Sequence, residues 1–178
     1  MIAFKTARLV LRHLRPDDLD ALHELCSDPD VMRWVGDGTS LSRTDCERWI
    51  AVSQQNYATR GFGNFAVASR DTGEFMGYGG IVYARQSSDA EIIYALAKRY
   101  WRKGYVSELT PVLLDFALKQ CNLKRVIATI APENMVSRRI VERAGMLFEN
   151  ETLDEDGLPM RVYGAQQGRL CWSASEFG

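Results

Sequence analysis

A short basic loop is the first segment whose residue types and spacing point to chemistry. Residues 100–107 read YWRKGYVS, between a predicted strand and a predicted helix. Free backbone N–H groups at the start of a helix bind anions, and a glycine lets a ligand approach the backbone closely. Arg102 and Lys103 add positive charge, so the loop is a candidate anion site. An ordinary helix entry with a solvated basic pair explains the same residues, because one short glycine motif is weak evidence.

A second group of polar residues lies at the start of another predicted helix. Residues 132–145 read PENMVSRRIVERAG. Taken alone, Asn134 is a helix N-cap, and Ser137 lies one turn into the helix. Arg138 and Glu142 are spaced to form an i,i+4 ion pair, and the final glycine ends the helix. These local roles explain nearly every residue of the segment, but not why the two segments occur in one chain.

Hydrophobic periodicity predicts the elements that position both segments. Period-two or apolar runs predict seven strands, at residues 8–14, 64–69, 74–84, 90–97, 125–131, 146–152 and 161–166. Helical spacing between them predicts about four helices. Helices inserted between antiparallel strands indicate an α/β (α+β) fold with a single mixed, mostly antiparallel seven-stranded sheet. We expect one domain over residues 1–168, followed by a C-terminal tail at 169–178 with no clear period.

Two of the predicted helices carry local signals of their own. Ser42, with Asp45 three residues later, resembles a capping box, and Gly61 is placed to end the helix that follows. Pro111 lies inside the helix predicted from Gly104 to about residue 121. Because proline lacks a backbone N–H, we expect this helix to bend there.

The composition is that of an ordinary globular domain. The chain has 178 residues, of which 46% are hydrophobic and 25% charged, and its net charge is -1. Without a basic excess, we expect no nucleic-acid partner bound through bulk charge. Charge-free stretches such as residues 75–84 are too short for a membrane helix, so no membrane partner is expected. The 4 cysteines form no C-x-x-C pair and only 2 histidines accompany them, which predicts no metal site and a reducing, cytoplasmic location.

Several segments in order resemble the GNAT acetyltransferase superfamily, and within it the ribosomal-protein N-terminal (Rim-type) acetyltransferase-like branch. The opening TARLVLR at residues 6–12 and SDPDVM at 27–32 are similar to that branch. So are YAL at 94–96 followed by YWRKGY at 100–105. The strongest match is PEN at 132–134, followed by Ser137, Arg139, Glu142 and Gly145. The resemblance extends over residues 6–166.

The resemblance implies a GNAT-like fold that takes acetyl-CoA as co-substrate. The pyrophosphate would rest on the basic loop, the pantetheine arm would pair with a strand, and an asparagine would hydrogen-bond the arm. The residues that match these cofactor-binding positions are Tyr94, Ala95, Leu96, Arg102, Lys103, Gly104, Tyr105, Val106, Ser107 and Asn134. In the family's phosphate motif, Trp101 takes the first place and Val106 the last, where a β-branched side chain can crowd the phosphate.

Amine acetylation requires a deprotonated amine, its attack on the thioester carbonyl and a proton for the departing thiolate. We expect Glu91, near the start of the strand at 90–97, to be the base, directly or through water. A strand-edge glutamate in solvent is the alternative interpretation. Many family members carry a tyrosine acid where this chain has Val141, so Ser137 is expected to donate the proton or orient the thiol. Its alternative is an ordinary first-turn serine.

The expected activity is transfer of the acetyl group of acetyl-CoA to a primary amine, with a protein N-terminal α-amine as one acceptor class. A small amine such as a polyamine, an amino sugar or an amino acid is an alternative acceptor, and another acyl-CoA is an alternative donor. A non-catalytic CoA-binding module is a further alternative, which Glu91 and Ser137 argue against. No metal cofactor is expected, and the protein is expected to be a monomer or a homodimer.

Overall fold

The computed structural model describes residues 1–84 and 87–168, and it has one mixed sheet of eight strands in the order β1-β2-β3-β4-β5-β6-β8-β7. The strands are β1 Ile2–Lys5, β2 Leu9–His13, β3 Asn64–Ser69, β4 Phe75–Tyr83, β5 Ala90–Leu96, β6 Arg125–Ile130, β7 Leu147–Leu153 and β8 Pro159–Gln166. The helices are α1 Leu19–Ser27, α2 Pro29–Met32, α3 Arg43–Arg60, α4 Tyr105–Asp115 and α5 Met135–Arg143. The predicted tail at 169–178 lies outside the described residues.

The predicted fold class is confirmed, but the predicted strand count is wrong. The additional strand is β1, which pairs antiparallel with β2 and places Phe4 opposite Leu11. A strand of four residues is too short to show a period of two in the sequence, and it is recognised here by its partner. The sheet is mostly antiparallel, and β5 pairs parallel with β6.

The chain divides into two compact units. The first, called here the N-terminal unit, contains Met1–Gly80 and Tyr94–Tyr105. In its core, Leu9 and Leu11 of β2 and Leu22 of α1 are fully buried. The predicted capping box is confirmed, because the Ser42 hydroxyl accepts the Asp45 N–H and the Asp45 carboxylate accepts the Ser42 N–H, both at 3.2 Å.

The second unit, called here the C-terminal unit, contains Ile81–Ile93 and Val106–Gly178, of which residues up to 168 are described apart from 85 and 86. Strand β8 pairs antiparallel with both β6 and β7. Pro111 lies inside α4, as the sequence predicts, and it is buried. Just after α4 the chain continues as a π-helical segment, Phe116–Gln120. Whether Pro111 bends α4 stays a prediction, as does the expectation of one domain over 1–168.

None of the helices in the described residues is both long enough and apolar enough to cross a lipid bilayer.

Candidate active site

The predicted phosphate loop turns sharply before α4 begins. The φ angles of Arg102 and Gly104 are 60° and 78°, both in the left-handed region. Within the described residues, Arg102 is one of two non-glycine residues with positive φ. A Cβ atom on Gly104 would meet only a guanidinium nitrogen of Arg8, at 3.5 Å. Glycine is therefore favoured here by backbone conformation rather than by lack of space.

The N-terminal end of this loop is held by the indole of Trp101. Its Nε1–H donates to the carbonyl of Leu96, the last residue of β5, at 2.7 Å. The side chains of Arg102 and Lys103 lie on an exposed surface, whereas Tyr105 is half-buried. The loop thus presents charge and backbone to solvent while one aromatic side chain anchors it to the strand that precedes it.

Strand β5 ends against β4 in the N-terminal unit, at the residues predicted to pair with the pantetheine arm. Ala95 and Leu96 are buried, and Tyr94 is half-buried. A Cβ atom on Gly77 of β4 would lie 2.1 Å from the Ala95 carbonyl oxygen, so the two backbones approach as only glycine allows. The Ala97 N–H donates to the Met76 carbonyl at 2.9 Å and fixes the chain just after the strand.

Val106 and Ser107 form the first turn of α4 and belong to the C-terminal unit. Val106 is half-buried and Ser107 is exposed. The carbonyl of Val106 accepts the Thr110 hydroxyl at 2.8 Å, so the valine is fixed within the helix.

The carboxylate of Glu91 is engaged with β6 in the C-terminal unit. Its Oε1 accepts the backbone N–H of Thr129 at 3.0 Å. Strands β5 and β6 pair Ala90 with Val126 and Glu91 with Ile127, and Thr129 lies two residues beyond Ile127 on β6. Glu91 is half-buried rather than solvated at a strand edge. Burial raises its pKa, and hydrogen bonds from Thr129 partly oppose that rise.

Asn134 and Ser137 lie together at the start of α5, also in the C-terminal unit. The Asn134 Oδ1 accepts the Ser137 N–H at 3.1 Å, which confirms the predicted N-cap. An asparagine also carries two amide N–H donors, so capping by the oxygen leaves a donor group for a ligand. Ser137 is half-buried in the first turn.

The predicted Arg138–Glu142 ion pair is wrong. Arg138 instead donates from Nε to the Tyr163 hydroxyl at 3.1 Å and from Nη1 to the Pro132 carbonyl at 2.9 Å. These contacts join the start of α5 to β8 and to the turn that precedes the helix. The guanidinium satisfies a carbonyl and a buried phenol, whereas a helix-surface pair with Glu142 would contribute only a few tenths of a kcal/mol.

Sequence reasoning missed Arg8 as a neighbour of the predicted phosphate loop. Its Nη1 donates to the Lys103 carbonyl at 2.9 Å, and its guanidinium lies 4.4 Å from the centroid of the Tyr105 ring. Arg8 lies in the opening segment 6–12, which is one of the segments that resemble the family. Its contact with a loop 95 positions away in the sequence is seen only in the folded structure.

A family model described as an acetyltransferase (GNAT) domain matches residues 8–147. The chain belongs to the GNAT acetyltransferases. It is 31% identical to YnaD of Bacillus subtilis, an uncharacterized N-acetyltransferase, over 81% of this chain and 82% of that protein. The predicted family and the enzyme class, acyltransferase, are thereby confirmed.

Solved GNAT structures share this fold. An acetyltransferase from Bacillus anthracis is 27% identical, with a TM-score of 0.77 over 93% of this chain and 98% of that one. RimL, a ribosomal L7/L12 alpha-N-protein acetyltransferase in complex with coenzyme A, is 16% identical, with a TM-score of 0.76 over 94% and 98% of the two chains. Similarity at the level of RimL shows the fold alone.

Two other features lie apart from the predicted site residues. A surface cleft of about 180 Å³ in the N-terminal unit is lined by Leu25, Phe75 and Ala97 together with Lys98 and Arg99, among others. Its lining includes none of the predicted site residues. In the described part of the chain, no group of three or more His, Cys, Asp and Glu side chains is arranged to hold a metal ion.

Proposed function

We propose that this GNAT acetyltransferase uses acetyl-CoA to acetylate a primary amine, with a protein N-terminal α-amine as the favoured acceptor. The observation that supports acetyl-CoA as the acetyl donor is the left-handed turn through Arg102 and Gly104 at the start of α4. It directs a basic, exposed backbone segment toward solvent at a helix N-terminus, which suits the pyrophosphate of a CoA thioester. The CoA complex of RimL, which shares the fold, supports the donor, and its protein acceptor favours the α-amine.

Each predicted cofactor residue has a role that its local geometry allows. Residues 102–107 would hold the pyrophosphate through backbone N–H groups and positive charge. The end of β5, Tyr94 to Leu96, would meet the pantetheine amides as a neighbouring strand does. Asn134 would donate an amide N–H to the arm while its oxygen caps α5. Val106 lies within the first turn of α4, where its backbone N–H points toward the loop in the manner of any first-turn residue.

Glu91 and Ser137 supply the proton transfers in this proposal. The acceptor nitrogen bonds to the thioester carbonyl carbon, and the carbon–sulfur bond breaks. Glu91 takes the proton that the amine loses, directly or through one water. Ser137 donates a hydrogen bond to the departing thiolate or relays a proton to it. A half-buried carboxylate with a raised pKa is a stronger base than a solvated one, which supports Glu91 in this role.

Binding and turnover of acetyl-CoA test the proposal together. Wild-type protein with CoA at about 100 times its dissociation constant should gain roughly 2.7 kcal/mol of stability, measurable as a rise in melting temperature. Release of free thiol should then be followed with N-terminal peptides, polyamines, amino sugars and amino acids. Fastest turnover of peptides supports the α-amine acceptor, and fastest turnover of a small amine contradicts it. No thermal shift at millimolar acetyl-CoA contradicts the donor.

Ser137→Ala is expected to lower kcat by roughly tenfold, or about 1.4 kcal/mol of barrier, because the thiolate loses a hydrogen-bond donor. The N-cap contact should survive, because the Asn134 Oδ1 accepts the backbone N–H of residue 137, which an alanine also has. Stability should therefore change little, and the CoA dissociation constant should stay within about twofold of wild type. A wild-type kcat in Ser137→Ala would show that Ser137 is an ordinary helix serine with no role in turnover.

A further inference from the structure

The backbone of Arg8 is fixed in a tight turn between β1 and β2. The Thr6 N–H donates to the Leu9 carbonyl at 2.9 Å, and the Leu9 N–H donates to the Thr6 hydroxyl oxygen at 3.0 Å. The Arg8 carbonyl accepts the Arg70 N–H at 2.9 Å. These hydrogen bonds fix the backbone of the turn. The side chain of Arg8 leaves this anchored turn and reaches the loop that precedes α4.

Arg8 contacts the loop at the point between its two left-handed residues. Its Nη1 donates to the carbonyl of Lys103, the residue between Arg102 and Gly104. Its guanidinium also lies 4.4 Å from the ring centroid of Tyr105, within the distance of a cation–π contact. A planar guanidinium can make both contacts at once, because its N–H groups point outward in the plane while its face meets the ring.

The loop conformation needs such a support. A left-handed backbone is unfavourable for an arginine, and conformations of this kind persist where the surrounding structure holds them. Trp101 holds one end through the Leu96 carbonyl, and Arg8 holds the middle. Both partners come from elements that are themselves fixed, a strand end and a hydrogen-bonded turn. Contacts that hold a loop in its binding conformation lower the entropic cost of binding a ligand there.

We propose that Arg8 is a positioning residue for acetyl-CoA binding, which holds the loop 102–105 in its ligand-binding conformation and adds positive charge beside it. This inference rests on the proposed function, in which that loop takes the CoA pyrophosphate. It assigns a role to the opening segment TARLVLR, which the proposed chemistry otherwise leaves unused. The ligand it serves is the phosphate-bearing end of the thioester and not the acceptor amine.

Three substitutions separate the contributions of Arg8. Arg8→Ala removes the hydrogen bond, the ring contact and the charge. Arg8→Gln keeps an N–H donor on a shorter side chain but removes the charge, and Arg8→Lys keeps the charge and an N–H donor but loses the planar stack. Arg48→Ala is the matched control, because Arg48 is an exposed arginine of the same unit whose ion pair is with Asp45 in its own helix.

Arg8→Ala should raise the KM for acetyl-CoA and the Kd for CoA by about tenfold, while kcat at saturating acetyl-CoA stays within about twofold. Arg8→Lys should recover part of that loss, and Arg48→Ala should match wild type. These values come from initial rates, calorimetric titration with CoA and melting curves without ligand. A purely structural role would lower kcat and the ligand-free melting temperature together and would not favour lysine over glutamine.

The outcomes distinguish this inference from the function on which it rests. Wild-type protein that binds no CoA overturns both. Wild-type protein that binds CoA, with Arg8→Ala binding it equally tightly, overturns the role of Arg8 alone. A loss of kcat without a change in KM also overturns it, because a residue that positions the phosphate loop acts on donor affinity.

Discussion

Glu91→Gln is expected to lower turnover by about 10²–10⁴-fold and to leave CoA affinity near that of wild type. The carboxylate is proposed to take the proton that the acceptor amine loses, and an amide cannot take it. Gln keeps an oxygen that can accept the Thr129 N–H, so the contact between β5 and β6 should be preserved. Glu47→Gln, at an exposed glutamate of α3, is the matched control and should turn over at the wild-type rate.

The pH dependence of kcat/KM sharpens this test. Because burial raises the pKa of Glu91 above its ordinary value of 4.5, the base becomes protonated, and activity falls, at a pH higher than for a solvated glutamate. Wild type should therefore show an acidic limb from Glu91 in addition to the limb from the acceptor amine. Glu91→Gln should show the amine limb alone. Turnover at the wild-type rate from pH 6 to 9 in this variant would place the base elsewhere.

The raised pKa of Glu91 also affects the stability of the folded state. A carboxylic acid with a raised pKa in the folded state favours folding in its protonated form, and that contribution is present below the unfolded pKa and lost as pH rises through the folded pKa. At pH 8 the ionised Glu91 is therefore unfavourable to folding. Glu91→Gln removes the charge, so its melting temperature at pH 8 should equal or exceed that of wild type. A lower melting temperature would show that the charge itself stabilises the fold.

Features set by residues close in sequence were predictable. The box of Ser42 and Asp45 depends on residues three apart, and the left-handed Gly61 that ends α3 depends on the helix immediately before it. The N-cap by Asn134 is of the same kind. In each case the hydrogen bonds or backbone angles involve one turn of chain, so residue type and spacing suffice to predict them.

Features set by distant residues were not predictable from these patterns. Arg138 has Glu142 within reach along the helix, but Tyr163 of β8 and the Pro132 carbonyl take its donors instead. Glu91 accepts the backbone N–H of Thr129 on the neighbouring strand, and Arg8 contacts a loop 95 residues away. A helix or strand pattern predicts which face of the element a residue occupies. The residue that it contacts there depends on which strands are neighbours in the sheet, and the pattern does not give that order. This explains why the environments of the predicted site residues did not follow from their types and spacing, whereas their roles stay predictions.

Gly77→Ala is expected to destabilise the protein by at least about 3 kcal/mol, because it adds a methyl group where two backbones touch. The new Cβ would lie 2.1 Å from the Ala95 carbonyl oxygen and 2.8 Å from Leu96 Cα, closer than atoms approach without displacement. The φ of Gly77, +155°, is also one that side chains rarely adopt. For a chain of this size the loss corresponds to a fall of roughly 6–12 °C in melting temperature.

Gly73→Ala is the matched control for that substitution. Gly73 lies in the turn between β3 and β4 with φ of +73°, and its Cβ would meet nothing within 4 Å. It should therefore carry only the cost of a left-handed alanine, about 1 kcal/mol.

The backbone that must move in Gly77→Ala belongs to Ala95 and Leu96, the residues proposed to pair with the pantetheine arm. Gly77→Ala should thus weaken CoA binding at a temperature where it is still folded, whereas Gly73→Ala should not. Equal melting temperatures for the two variants would show that β4 and β5 can separate without cost, and unchanged CoA affinity in Gly77→Ala would remove the end of β5 from the donor site.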